Sequence, residues 1–117
     1  MPLSVVIVDD HDEFRGSARA LLEDEGFAVV GEAAEGASAI ATAARLRPDV
    51  VLLDIALPDL DGFEVAERLA ALPHPPSVVL ISSRDASAYT RRLATASVRG
   101  FIAKSKLTGE ALANLVA

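Results

Sequence analysis

Short runs of aliphatic residues alternate along the chain with stretches whose apolar residues return every three or four positions. The first run, residues 3–8, is broken only by Ser4 and closes at Asp9 and Asp10. A branched-aliphatic run of that length predicts a strand buried on both faces of a parallel sheet. Beyond Asp12 the period changes, and Phe14, Ala18, Leu21 and Leu22 fall at helical spacing until Gly26 stops the helix. Residues 28–33 predict a second strand, and residues 36–46 a helix with Ile40, Ala43 and Ala44 on one face. Pro48 turns the chain out of helix before the third strand, residues 50–53, which ends at Asp54. Val65, Leu69 and Leu72 form the next helical stripe, ended by the proline-rich stretch 73–76, and residues 77–81 predict a fourth strand. Residues 86–96 read as a helix although only Tyr89 and Leu93 are large and apolar there. Residues 100–103 predict a short fifth strand. Thr108 is the expected N-cap of a last helix that turns Leu112, Leu115 and Val116 inward, and Ala111 at its third position precludes a full capping box. Strands and helices in strict alternation predict the α/β class: a doubly wound, five-stranded parallel sheet joined by right-handed crossovers.

The 117 residues fit one domain, and a hydrophobic content of 51% is enough for a true core. No repeat or linker divides the chain, so residues 1–117 are read as a single domain. The absence of cysteine removes disulfides, thiolate metal sites and cysteine nucleophiles, and it suits a reducing cytoplasm. The first apolar run is too short for a signal-peptide core, and no stretch is long enough to span a membrane. A formal net charge of −6 opposes attraction to phosphate backbones, so direct nucleic-acid binding is not expected.

In open parallel sheets, sites form beyond the carboxyl ends of the strands. The residues there are Asp9 and Asp10 after the first strand, Asp54 after the third, Ser82 and Ser83 after the fourth and Lys104 after the fifth. If those strands are neighbours, three carboxylates, a hydroxyl and an ammonium share one rim. The carboxylates would repel one another, raising their pKa values, unless a cation lies between them. Oxygen ligands without cysteine or histidine favour Mg2+ or Mn2+. An aspartate can act as a nucleophile toward phosphorus, and the metal, Lys104 and Ser82 could neutralise the transferred oxygens. His11 beside the acidic pair is read as an exposed residue at a helix start. Asp59 and Asp61 are read as loop solvation and turn chemistry. The segment Gly31 to Gly36 lacks the pattern of a nucleotide-binding loop.

The chain resembles the receiver domains of two-component response regulators over essentially its whole length. The resemblance rests on Val-Asp-Asp-His at 8–11, Leu-Leu-Asp-Ile-Ala-Leu-Pro-Asp-Leu-Asp-Gly at 52–62, the serine following residues 78–81, and Gly-Phe-Ile-Ala-Lys at 100–104. It implies a flavodoxin-like (βα)5 fold with strand order 2-1-3-4-5, and a phosphoacceptor that receives its phosphoryl group from a histidine kinase or phosphotransfer protein. Asp54 is then the phosphorylation site. Asp9 and Asp10 become the acidic metal pair, with Asp54 and the backbone carbonyl of Ala56 completing the Mg2+ ligands. Ser82 would contact the phosphoryl group, Lys104 would pair with it, and Phe101 would occupy the aromatic switch position. The responsive face would be that of the fourth helix, fifth strand and fifth helix, open to an output domain, a second copy in a homodimer or another protein.

Three positions depart from the commonest pattern. Ser105 follows Lys104 where many receivers have proline, Ser82 stands for threonine, and Phe101 stands for tyrosine. These choices resemble those of regulators with a helix-turn-helix output domain, so the chain either stands alone or is a receiver cut from a longer regulator. Two rival readings exist. A phosphohydrolase with an aspartate nucleophile typically carries a second aspartate two residues on, where this chain has Ala56. A receiver-like module that is never phosphorylated would have no need of Asp9, Asp10, Asp54 and Lys104 together.

Overall fold

The computed structural model describes residues Pro2 to Ala117. Its strands are β1 (Ser4–Val8), β2 (Ala28–Ala33), β3 (Val50–Asp54), β4 (Ser77–Ser82) and β5 (Gly100–Ala103). Its helices are α1 (Asp12–Asp24), α2 (Gly36–Leu46), α3 (Gly62–Ala70), α4 (Thr90–Thr95) and α5 (Gly109–Val116). All strand pairs are parallel, in the order β2-β1-β3-β4-β5 expected of the resemblance.

The aliphatic runs form the three central strands because both of their faces are covered. Val6, Val8, Val51, Leu53, Val78 and Leu80 point into one core layer with α2 and α3. Val5, Ile7, Val50, Leu52, Val79 and Ile81 point into the other, beneath α1 and α5. Period-two alternation thus sorts each strand between two dry layers. Caps fix the helix ends: Gly26 ends α1 with a φ of 95°, and Thr108 caps α5 by accepting from Ala111 N at 3.0 Å.

Several boundaries differ from the sequence expectation. Residues 86–96 are not one helix but a 3-10 turn, Ala86–Tyr89, followed by the six-residue α4. Neither piece buries a residue fully, because the small side chains there offer little apolar surface to anchor a regular helix. Ala44 is exposed and Ala39 takes its place in the core, while Leu72 lies beyond the end of α3. Among the described residues there is no cis peptide bond, and no helix is long and apolar enough to cross a membrane.

The strand register places the site. Val8 lies opposite Leu53, Asp54 opposite Ile81, and Ser82 opposite Ala103. The residues that follow these pairs therefore emerge at one edge of the sheet.

Candidate functional site

Asp9, Asp10 and Asp54 do converge, and His11 joins them: one ligand atom from each lies within 4.8 Å of the others. Asp9 has no exposed surface and Asp54 is 3% exposed, whereas Asp10 reaches solvent. Asp9 Oδ1 accepts from His11 N at 2.8 Å. His11 is largely exposed, as expected, yet its Nδ1 stands 3.0 Å from Asp9 and 3.1 Å from Asp10. The β1–α1 connection is braced by Arg15, whose Nη1 donates to Asp9 O at 2.5 Å while its Nε meets Glu32 at 3.1 Å.

Lys104 opens a 3-10 turn, Lys104–Lys106, and extends back over the acidic group. Its Nζ lies 2.5 Å from Asp9 Oδ2 and 3.3 Å from Asp54 Oδ2, with the Phe14 ring 4.6 Å below it. Burial opposes its charge, but the two carboxylates outweigh that and raise its pKa. Burial also opposes ionisation of Asp9, yet Lys104 and the donors of His11 leave its carboxyl below the usual range. For Asp54 burial and the neighbouring Asp9 prevail over Lys104, so its pKa is raised. The repulsion expected among the carboxylates therefore falls on Asp54, while Lys104 relieves Asp9.

The residues present fit a hard divalent cation. Asp9 Oδ2 is buried and, apart from the ion pair with Lys104, has no donor aligned for a hydrogen bond. A carboxylate oxygen so placed, in a group of oxygen donors with one exposed member, is a ready ligand.

The loop after β3 is held close to Asp54. Ala56 N donates to Asp54 Oδ1 at 3.2 Å, and Gly62 N donates to Ile55 O at 2.9 Å. A Cβ on Gly62 would sit 2.6 Å from the Asp54 carbonyl oxygen and 2.6 Å from Ile55 Cα, so this close approach requires glycine. Asp59 is not merely solvated, as the sequence reading had it. Its two carboxylate oxygens accept from Gly36 N at 2.7 Å and Ala37 N at 2.9 Å, capping α2. Asp61 does perform turn chemistry: it caps α3 by accepting from Phe63 N at 2.8 Å, and it pairs with Arg92 at 2.7 Å.

Ser82 and Phe101 stand one step from this centre. Ser82 is 3% exposed, and its Oγ accepts from Arg84 N and meets the Tyr89 hydroxyl, each at 3.0 Å. Phe101 lies opposite Leu80 and packs at a centroid distance of 6.0 Å from the Tyr89 ring. From the sequence Tyr89 reads only as an apolar helix position. The available signal was its hydroxyl, which needs a partner when the ring is partly buried.

The arrangement matches known proteins throughout its length. The response regulator receiver domain family matches residues 5–116. BvgA of Bordetella pertussis, named as a transcription regulator of virulence factors, is 39% identical over 100 residues, covering 86% of this chain and 48% of its own. The chain spans about half the length of the curated relatives it matches. The signal receiver domain of NarL from Mycobacterium tuberculosis superimposes with a TM-score of 0.88 at 34% identity, covering 98% of this chain and 96% of that one. CheY in the CheX-CheY-BeF3-Mg+2 complex from Borrelia burgdorferi reaches a TM-score of 0.83 at 25% identity over 99% of this chain and 87% of its own. With that match over nearly the whole chain and the sheet order described above, the chain belongs to the response regulator receiver domain family.

Proposed function

We propose that this receiver accepts a phosphoryl group on Asp54 from a phosphohistidine of a histidine kinase or phosphotransfer protein in the cytoplasm. The observation that carries the reading is the placement of Asp54: nearly buried, held through Oδ1 by Ala56 N and faced at Oδ2 by Lys104. A carboxylate oxygen of Asp54 attacks phosphorus in line. The phosphorus–nitrogen bond breaks, its electron pair returns to the imidazole, which takes a proton from solvent, and an acyl phosphate remains. Lys104 balances charge on the transferred oxygens. Asp9, Asp10 and Asp54, with the carbonyl of Ala56, would hold Mg2+, with Mn2+ as a substitute, and the bound cation would neutralise phosphoryl oxygens. The BeF3 and Mg2+ named with the similar CheY support that reading.

Once Asp54 is modified, the Ser82 hydroxyl turns toward the phosphoryl group and Phe101 moves inward, altering the face of α4, β5 and α5. That face would meet an output domain, a second copy or another protein. The half-length match to BvgA favours a transcriptional regulator in which this receiver governs a separate output domain. Incubation with Mg2+ and acetyl phosphate should add one phosphoryl group by intact mass, followed by slow loss through self-hydrolysis. Retention of that gain by Asp54→Asn would refute the assignment, and sustained turnover of small phosphate esters would favour a phosphohydrolase instead.

A further inference from the structure

The Ser82 hydroxyl has two competing engagements. In this structure Oγ is fixed between Arg84 N and the Tyr89 hydroxyl, each 3.0 Å away. Tyr89 OH has no other hydrogen-bond partner among the described residues. Its ring is wedged between Phe63 and Phe101, with both centroid distances 6.0 Å and tilts of 49° and 44°. Phe63 is itself covered by Arg92, whose guanidinium carbon lies 4.1 Å from the ring centre. Tyr89 closes a 3-10 turn that buries no residue, so this segment is weakly anchored to the sheet.

We propose that Tyr89 is a positioning residue, a latch that holds Ser82 in its resting orientation and carries the release of Ser82 into the turn Ala86–Tyr89 and the Phe101 ring. The proposal rests on phosphorylation of Asp54 for its trigger but not for the latch itself. While latched, Ser82 is committed to Tyr89 and Arg84. A phosphoryl oxygen on Asp54 competes for the same hydroxyl. When it wins, Tyr89 OH loses its partner, and a ring packed between two others can follow only if its turn shifts with it. The latch therefore stabilises the resting state by one hydrogen bond, and its removal should raise the activated population about fivefold.

Two measurements on the full chain test this. In the unphosphorylated protein, Tyr89→Phe keeps the ring and removes the hydroxyl. Hydrogen exchange of the Arg84 amide should then rise about fivefold, because Ser82 Oγ, freed of its bond to Tyr89, leaves that amide more often, and unchanged exchange would overturn the latch whatever happens at Asp54. The second measurement uses Tyr89 itself, since the chain contains one tyrosine and no tryptophan. With Mg2+ and beryllium fluoride the tyrosine emission of the wild type should change. Ser82→Ala should give a shifted emission already at rest and no further change, and Ser82→Thr, which keeps the hydroxyl, should restore the wild-type response. Unchanged emission in a wild type whose phosphorylation by acetyl phosphate is proven by mass would also refute the latch. A chain that takes no phosphoryl group would defeat the functional reading alone, leaving the Arg84 measurement to decide.

Discussion

Lys104 Nζ stands 2.5 Å from Oδ2 of Asp9, a carboxylate without exposed surface. The same ammonium is 3.3 Å from Asp54, so at rest it stands closer to Asp9 than to the proposed phosphoacceptor. Removing one partner of a buried ion pair strands the other. Lys104→Met should therefore cost about 3 kcal/mol in urea unfolding without divalent cation, and Mg2+ should restore part of it. Because folding raises the Lys104 pKa, its contribution is complete at neutral pH and fades only as pH climbs through that raised value. A variant as stable as the wild type would contradict this arrangement.

Asp54 acts in the opposite sense. Its raised pKa means that the folded chain holds this proton more tightly than the unfolded chain, so stability falls as pH rises from the ordinary carboxyl value through the folded one. Asp9, with its lowered pKa, contributes stability above the ordinary value and loses it as pH falls through the folded one. Asp54→Asn should stabilise the metal-free protein by about 1 kcal/mol at neutral pH and remove the first trend. Denaturation curves across the acid range would read both effects, and a destabilised Asp54→Asn would run against the repulsion described.

Gly62→Ala should lower stability by about 1–3 kcal/mol, since its Cβ would meet backbone rather than a flexible side chain. The same displacement should reach the loop that carries Ala56 and weaken Mg2+ binding. Titration calorimetry with Mg2+ beside an unfolding curve checks the pair, and unaltered binding would separate Gly62 from the site.

Asp59→Ala should release the amides of Gly36 and Ala37, which then exchange several-fold faster, and lower the unfolding midpoint. Asp59→Asn retains an acceptor and should fall between the two. Equal exchange in all three proteins would argue that the cap contributes nothing in solution.

Much of this was readable from the chain because the relevant signals are local. Branched-aliphatic runs ending in acids marked out β1 and β3, and the same endings pointed to Asp9, Asp10 and Asp54. Residues 86–96 are harder to read, since a segment with four alanines and only Tyr89 and Leu93 as large apolar residues has too narrow an apolar stripe from which to judge its regularity. The cap made by Asp59 is hidden for a different reason: it holds a helix whose first residue lies 23 positions earlier, a relation invisible in any short window. Tyr89 depends on three elements meeting, with Phe63 from α3, Ser82 from β4 and Phe101 from β5.

The six residues of α4 place no side chain wholly inside the protein. Its outward positions can therefore be rewritten with little penalty to folding, while the acids and lysine at the strand tips stay untouched. On the phosphoacceptor reading proposed above, choice of downstream target and capacity for phosphoryl chemistry would thus be separable traits, free to diverge from one regulator to the next.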